Sequence, residues 1–166
     1  MTTASLNNFP RAGFIRRFGS WVYDVLIAFA VYMIAGAISF LLFNLSIKFG
    51  LISMVGFEHA IDLKRSSLIY TLLVDGFGIF WVAFFFVWFW SRSGQTLGMK
   101  AWRLRVQNQD GTRISTTTAI ARLLPTLLGL GNFTVLFDQK NKLSLQDRVT
   151  HTEVVVLSLE ENRGRL

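Results

Sequence analysis

The sequence predicts an all-α membrane protein, a small bundle of about three hydrophobic segments joined to a short cytoplasmic β-pairing. The first observation is composition: 52% of the 166 residues are hydrophobic and only 16% are charged, whereas soluble domains carry about 25% charged residues. The second is that the apolar residues are clustered into long runs, and the mean hydropathy is +0.43. The length suits one small domain with a few spanning helices.

The charge distribution indicates that the lipid bilayer is the main partner. The net charge is +7 and the isoelectric point is near 10.4, values that in a soluble protein would indicate nucleic-acid binding. Here the basic residues stand just outside the apolar runs, where such residues orient a protein in the membrane. We therefore expect no nucleic-acid partner. The chain has no cysteine, which excludes disulfides and thiolate metal sites.

The chain opens with a short basic segment, residues 1–17, which carries Arg11, Arg16 and Arg17 and no acid. The positive-inside rule places this N-terminal segment in the cytoplasm. We expect a multi-pass protein of the cell's inner membrane. The first apolar run, residues 18–43, has about 26 residues, more than the roughly 20 that a spanning helix needs. Since a signal-peptide core has only about 7–15 apolar residues, we interpret this run as a retained helix.

Asp24 is the single acid inside the first apolar run. An ionised carboxylate at that depth is costly, and such groups usually face a bundle interior or a wet cavity. The rest of the chain is therefore expected to supply a cationic partner. Arg122 is the first candidate. Arg17 is the second, although it lies about 10.5 Å away along the same helix.

The second apolar run, residues 67–90, has about 24 residues and is predicted to return the chain to the cytoplasm. Asp75 lies about 10 Å in from its outer end, so the two intramembrane acids are staggered, with Asp24 nearer the inside. Gly76 and Gly78 follow directly. Small residues of this kind let another helix approach closely.

Residues 91–115 are basic again, which agrees with a cytoplasmic position. Leu104 and Val106 alternate with polar side chains at the period of a strand. The β-branched residues 154–156 are suited to pair with this strand, provided that both lie on the same membrane face. The last residues, 158–166, are expected to be frayed after a membrane domain that covers residues 18–157.

A third apolar segment, residues 116–137, contains Arg122 and Pro125. Proline removes a helix hydrogen bond, and broken backbone at membrane depth is tolerated only inside protein or beside a wet cavity. The segment is therefore either an imperfect spanning helix or a re-entrant hairpin, and a pairing between the two predicted strands favours the hairpin. Arg122 either snorkels to the inner interface or forms an ion pair with Asp24.

An ordered set of motifs resembles the RDD family, which is named for one arginine and two aspartates. The motifs are GFIRRFGSWVYDVLI, SGQTLGMKAWRLRV, AIARLLP and LSLQDRVTHTEVVV. The resemblance covers roughly residues 13–157 and assigns the named residues to Arg17, Asp24 and Asp147. His151 departs from the glycine common in members, and Asp75 is outside the family pattern. The resemblance implies a small multi-pass membrane protein, with ion or proton transport suggested for some members and an assembly role for others.

Two functions follow from these residues. In the first, intramembrane acids carry cations or protons, with Asp24 as the exchanging group, Asp75 and Asp147 along the path, and Arg122 or Arg17 setting the ionisation of Asp24. Three segments make a very small transporter, so a homo-oligomer or a larger membrane complex is expected. In the second, the same charges are structural and lock a scaffold or assembly factor together.

An enzyme is not predicted. Catalysis needs a nucleophile with a base, or a metal cluster, and the chain has only two histidines, His59 and His151, and no catalytic motif. We accordingly expect no catalytic residue, no metal and no cofactor.

Overall fold

The structure is a computed structural model that describes residues 9–164, apart from the side chain of Leu127. It contains two compact units. One unit is formed by Ile27–Phe84, and the other combines the described residues up to Leu26 with those from Phe85 onward. The predicted bundle of apolar helices with one small sheet is confirmed.

Two long helices carry most of the apolar sequence. Helix α1 is Phe14–Lys48 with 35 residues, and α3 is Leu68–Arg92 with 25 residues; the short α2, Ala60–Ser66, lies between them in sequence. At about 1.5 Å per residue, α1 and α3 are roughly 52 and 37 Å long, and both are long and apolar enough to cross a membrane. Many of their large apolar side chains face outward, among them Leu26, Phe29, Ile34, Leu72 and Ile79.

Helix α1 begins at Phe14 rather than at residue 18, so Arg16 and Arg17 belong to its first turns. Residues 1–8 of the predicted basic N-terminal segment lie outside the described residues. At the other end, the tail expected to be frayed contains a short helix, α8, at Leu159–Arg163. Ser158 caps it by accepting a hydrogen bond from the Glu161 N–H at 3.2 Å, which is a local signal for a helix start.

The unit Ile27–Phe84 is held by close approach of its apolar residues. A Cβ atom at Gly78 would lie 2.8 Å from the Tyr32 ring, so only glycine fits there. The Ser39 hydroxyl donates to the Val74 carbonyl at 2.7 Å. This agrees with the expectation that the glycine after Asp75 permits close packing.

The other unit is built on a two-stranded antiparallel sheet. Strand β1 is Leu104–Asn108 and β2 is Thr152–Val156, and Val106 pairs with Val154, so the predicted pairing is confirmed. The N-terminal segment joins the same ribbon, because the Ala12 N–H donates to the Val154 carbonyl at 2.8 Å. The core beside this ribbon contains Ala12, Trp90, Met99, Leu104, Val106, Ile114, Ala119 and Val154.

Further short helices belong to this unit. Helix α4 is Leu97–Ala101 and α7 is Leu145–Val149. The third apolar segment consists of α5, Thr116–Thr126, a 3-10 turn, Leu127–Phe133, and α6, Thr134–Phe137.

The third apolar segment is broken, as predicted, but the break does not lie at Pro125. Pro125 belongs to the last turn of α5, whereas the backbone turns at Leu128 and Gly129, with φ values of 53° and 104°. Glycine adopts such a positive φ without a steric penalty. The two halves of the segment are bent by 75° relative to each other.

Candidate functional site

Asp147 is the centre of a buried charge cluster. It is the third residue of α7 and forms a capping box with Ser144, so that the Ser144 N–H donates to Asp147 Oδ2 at 3.1 Å. Arg17 Nη1 lies 2.7 Å from Asp147 Oδ2, and Arg122 Nη2 lies 2.9 Å from Asp147 Oδ1. Each carboxylate oxygen thus has its own guanidinium. The exposed fractions of the three side chains are 0–3%.

Arg17 connects the start of α1 to the segment that leads into α7. Its Nε donates to the Ala12 carbonyl at 3.0 Å, its Nη1 to Ser144 Oγ at 3.1 Å, and its Nη2 to the Lys142 carbonyl at 3.0 Å. Together with Asp147, these acceptors use all three nitrogens of the guanidinium. A planar fork of donors suits such a multidentate site, and lysine would not replace it.

Arg122 lies on α5, where it pairs with Asp147 and also donates a hydrogen bond to the first residue of β2. Its Nη1 donates to Thr150 Oγ1 at 3.3 Å and to Thr152 Oγ1. Its Nε has no oxygen partner in the described part of the chain, but the guanidinium lies over the Trp90 ring, 5.6 Å from the centroid. An aromatic face attracts a cation, most strongly where water is excluded.

The electrostatics of the cluster depend on both arginines. Burial acts to raise the pKa of Asp147, but Arg17, Arg122 and the Ser144 hydrogen bonds outweigh it and hold that pKa below its ordinary value of 3.8. Asp147 is therefore ionised at neutral pH. Two guanidiniums against one carboxylate leave the cluster with one net positive charge, which makes removal of the carboxylate costly.

Asp24 is not part of this cluster, so the predicted ion pair between Asp24 and Arg122 or Arg17 is wrong. Both guanidiniums are taken by Asp147, and in the described part of the chain Asp24 forms no ion pair. The Asp24 carboxylate is 5% exposed and is bonded by neutral groups. Thr96 Oγ1 donates to Oδ2 at 2.6 Å, and the Gly98 N–H donates to Oδ1 at 2.9 Å.

Thr96 and Gly98 are the residues that the sequence reasoning missed. Thr96 is the N-cap of α4, and a threonine before an apolar turn was the signal that could have found it. A Cβ atom at Gly98 would lie 2.7 Å from Asp24 Cγ, so glycine lets the carboxylate reach the backbone. Ser144, which caps α7, was missed in the same way.

Asp75 belongs to the unit Ile27–Phe84 and has a local partner. Lys64 Nζ lies 2.6 Å from Asp75 Oδ1, and the exposed fractions of these side chains are 13% and 41%. This pair involves neither Arg17 nor Arg122. Asp75 is therefore a separate feature from the arginine–aspartate cluster.

Helices α1 and α3, or these two and the bent third segment, are the candidate membrane spans. A chain with two to three such spans and buried charges that pair among themselves is a membrane protein. No group of three or more metal-ligating side chains occurs within residues 9–164.

The family follows from comparison with known proteins. The model of the RDD family matches residues 11–151, which is most of the chain, and the protein belongs to this family. Comparison with curated proteins and with solved structures gives no match. The arginine and two aspartates assigned by resemblance occupy two sites: Arg17 and Asp147 form the cluster, and Asp24 binds α4.

Proposed function

We propose that the chain is a membrane scaffold of the inner membrane with a cytoplasmic N-terminus, whose buried arginines and aspartate are structural. The observation that carries this proposal is the saturation of Asp147. Both of its oxygens are held by buried guanidiniums, one from α1 and one from α5. A carboxylate in this state is poorly suited to release and rebind an ion at neutral pH, and well suited to fix three chain segments together.

The proposed orientation rests on charge. Arg11, Arg16 and Arg17 precede or open α1, and Lys100, Arg103 and Arg113 follow α3. Basic residues beside spans are enriched on the cytoplasmic side. The unit that contains the cluster would thus face the cytoplasm, where it can present a rigid surface to a larger membrane complex or to other copies of the chain.

The scaffold proposal is tested by native purification in mild detergent, with the mass of the particle as the readout. We expect wild-type protein to be recovered with a stable partner or as an oligomer. Asp147→Asn should lose both abundance and assembly. Asp138→Asn, which removes the pair with the exposed Arg148 while leaving an amide oxygen to accept from Asn141, is the control and should retain both. Wild-type protein recovered as a monomer without partners would overturn the proposal.

Asp24 supports cation or proton exchange as a second candidate function. It is a buried carboxylate inside an apolar helix, and its hydrogen bonds come from neutral groups, so no neighbouring cation fixes its ionisation. Intramembrane acids of this kind mark ion and proton paths. Asp75 would be a second carboxylate that binds the ion or proton on such a path.

The exchange function is tested by cation-driven proton flux in proteoliposomes. Wild-type flux should exceed that of Asp24→Asn, and Asp24→Glu should retain part of it. Asp75→Asn reports whether the second acid contributes. Equal flux for wild type, Asp24→Asn and empty liposomes would exclude the exchange function, and the scaffold function would be the remaining proposal.

We also propose that the chain is not an enzyme and needs no cofactor. The support is the sequence itself, which has no cysteine, two histidines and no pairing of a nucleophile with a base in a recognisable motif.

A further inference from the structure

We propose that residues 116–137 form a leaflet wedge: the segment enters one leaflet of the bilayer from the side of the N-terminus, contacts its acyl chains, and leaves on the same side. The surface of the wedge binds lipid acyl chains, and the wedge reaches about the middle of the bilayer. The proposal is independent of the scaffold and exchange functions.

Both ends of the wedge are tied to one ribbon. Strand β1 precedes the wedge and β2 follows it, and Asn108 pairs with Thr152. The Val156 N–H donates to the Pro10 carbonyl at 2.9 Å, so the chain just before α1 lies on this ribbon too. A hydrogen-bonded ribbon lies on one membrane face, and a segment that starts and ends there cannot cross the bilayer an odd number of times.

The wedge is too short to cross twice. Helix α5 has 11 residues and the half after the bend, Leu128–Phe137, has 10, which at about 1.5 Å per residue gives roughly 16 and 15 Å. Each full crossing of the hydrocarbon core needs about 20 residues and 30 Å. The longer arm therefore reaches about the middle of the bilayer and no further.

The apolar side chains of the wedge require an apolar medium. Leu124 is 81% exposed, and Leu128 and Phe137 are each 91% exposed. Burying one such side chain is worth about 1.5–3 kcal/mol, so leaving all of them in water would be costly. Leu124 and Leu128 lie just before and at the bend, and Phe137 ends α6, while Arg122 is buried against Asp147.

At the bend, side chains of the protein donate hydrogen bonds to backbone carbonyls. The Trp21 indole N–H donates to the Leu128 carbonyl at 2.8 Å, and Thr134 Oγ1 donates to the Gly131 carbonyl at 2.8 Å. Non-helical backbone at membrane depth is tolerated when protein groups satisfy it in this way. Trp21 lies about 10 Å along α1 from its first residue, Phe14, which agrees with a bend placed within one leaflet.

The absence of cysteine from the chain permits a clean topology experiment. Single cysteines at Gln109→Cys and Gln139→Cys flank the wedge, and Val55→Cys, between α1 and α3, is the control for the opposite side. All three native side chains are exposed. A membrane-impermeant maleimide is applied to spheroplasts and to inverted vesicles. We expect positions 109 and 139 to label from one side and position 55 from the other. Labelling of 139 from the same side as 55 would show a full crossing and overturn the proposal.

The depth of the wedge is measured by fluorescence quenching in liposomes with nitroxide lipids. Fluorophores are placed at Leu128→Cys and Phe137→Cys, and at Leu26→Cys in α1, about 18 Å along the helix from Phe14, as the control for the middle of the bilayer. Because α5 reaches about the middle of the bilayer, position 128 should be quenched more strongly by a nitroxide at the acyl-chain end, as the control should be. Position 137, at the end of the wedge, should be quenched more strongly by a nitroxide near the headgroup. Stronger quenching of position 128 by the headgroup nitroxide, or no quenching together with crosslinking between copies at position 128, would overturn the proposal.

Discussion

Replacing Asp147 with asparagine removes the one negative charge that two buried guanidiniums share. The exposed fractions of the Arg17 and Arg122 side chains are 2% and 3%, so water cannot replace the carboxylate. The shape of the side chain is retained, and an amide oxygen still accepts one hydrogen bond. The change in the free energy of unfolding therefore reports the charge rather than a cavity.

The expected magnitude follows from the cost of an unpaired buried charge. Removing one partner of a buried pair costs about 3–5 kcal/mol, which reduces the folding equilibrium constant by between about 10²- and 10⁴-fold. Total stabilities are about 5–15 kcal/mol. The variant is thus expected to lose a large part of its stability. Because both ion pairs use one carboxylate, the effects of Asp147→Asn and Arg122→Gln should not add.

The assay is SDS-induced unfolding in mixed micelles, followed by tryptophan fluorescence, for Asp147→Asn, Arg122→Gln and the double variant. The control Asp138→Asn removes a pair whose arginine side chain is 55% exposed, and should shift the unfolding midpoint far less than Asp147→Asn does. If Asp147→Asn unfolds at the wild-type midpoint, the cluster does not stabilise the unit. If the double variant shows the sum of the two single effects, Asp147 and Arg122 act independently. Either result would refute the reasoning.

Three further outcomes are expected. Gly98→Ala should lower the free energy of unfolding because its Cβ would meet the Asp24 carboxylate. Gly13→Ala, whose Cβ would have no atom within 4 Å, should leave that free energy within about 0.5 kcal/mol of wild type. The stabilisation from Asp147, whose pKa is lowered on folding, should be complete well above pH 3.8 and decline as the pH falls through and below that value; a midpoint with the same acid dependence in Asp147→Asn would contradict this. Trp21→Phe should cost about 0.5–1.5 kcal/mol, because the carbonyl at the bend loses its donor, and an unchanged midpoint would argue against that bond.

The sequence was sufficient to predict the elements whose signal is local. Two apolar runs of spanning length became α1 and α3, and the β-branched residues 154–156 paired with the strand at Val106. The motifs pointed to the family that the chain belongs to. Each of these signals depends on residue type and period within one segment, which folding does not change.

The partners of the charged residues were not predictable in the same way. The position of Asp24 in the sequence gives its depth along the helix axis but not the direction in which its side chain points. It also does not show whether another carboxylate binds the same arginines. Asp147, in the tail, bonds both arginines, while the N-terminal turn of α4 supplies uncharged donors to Asp24. These choices depend on contacts between segments far apart in sequence.

The pairing of Arg17 with Asp147 joins residues 130 positions apart, which sets an order of events during biosynthesis. Ribosomes add about 5–20 residues per second, so Arg17 is synthesised roughly 6–26 seconds before its counterion. During that interval the guanidinium depends on water or lipid phosphate. The unit can close only when the tail has emerged, so a prematurely terminated chain would carry a permanently unmatched arginine and be an expected substrate for membrane quality control.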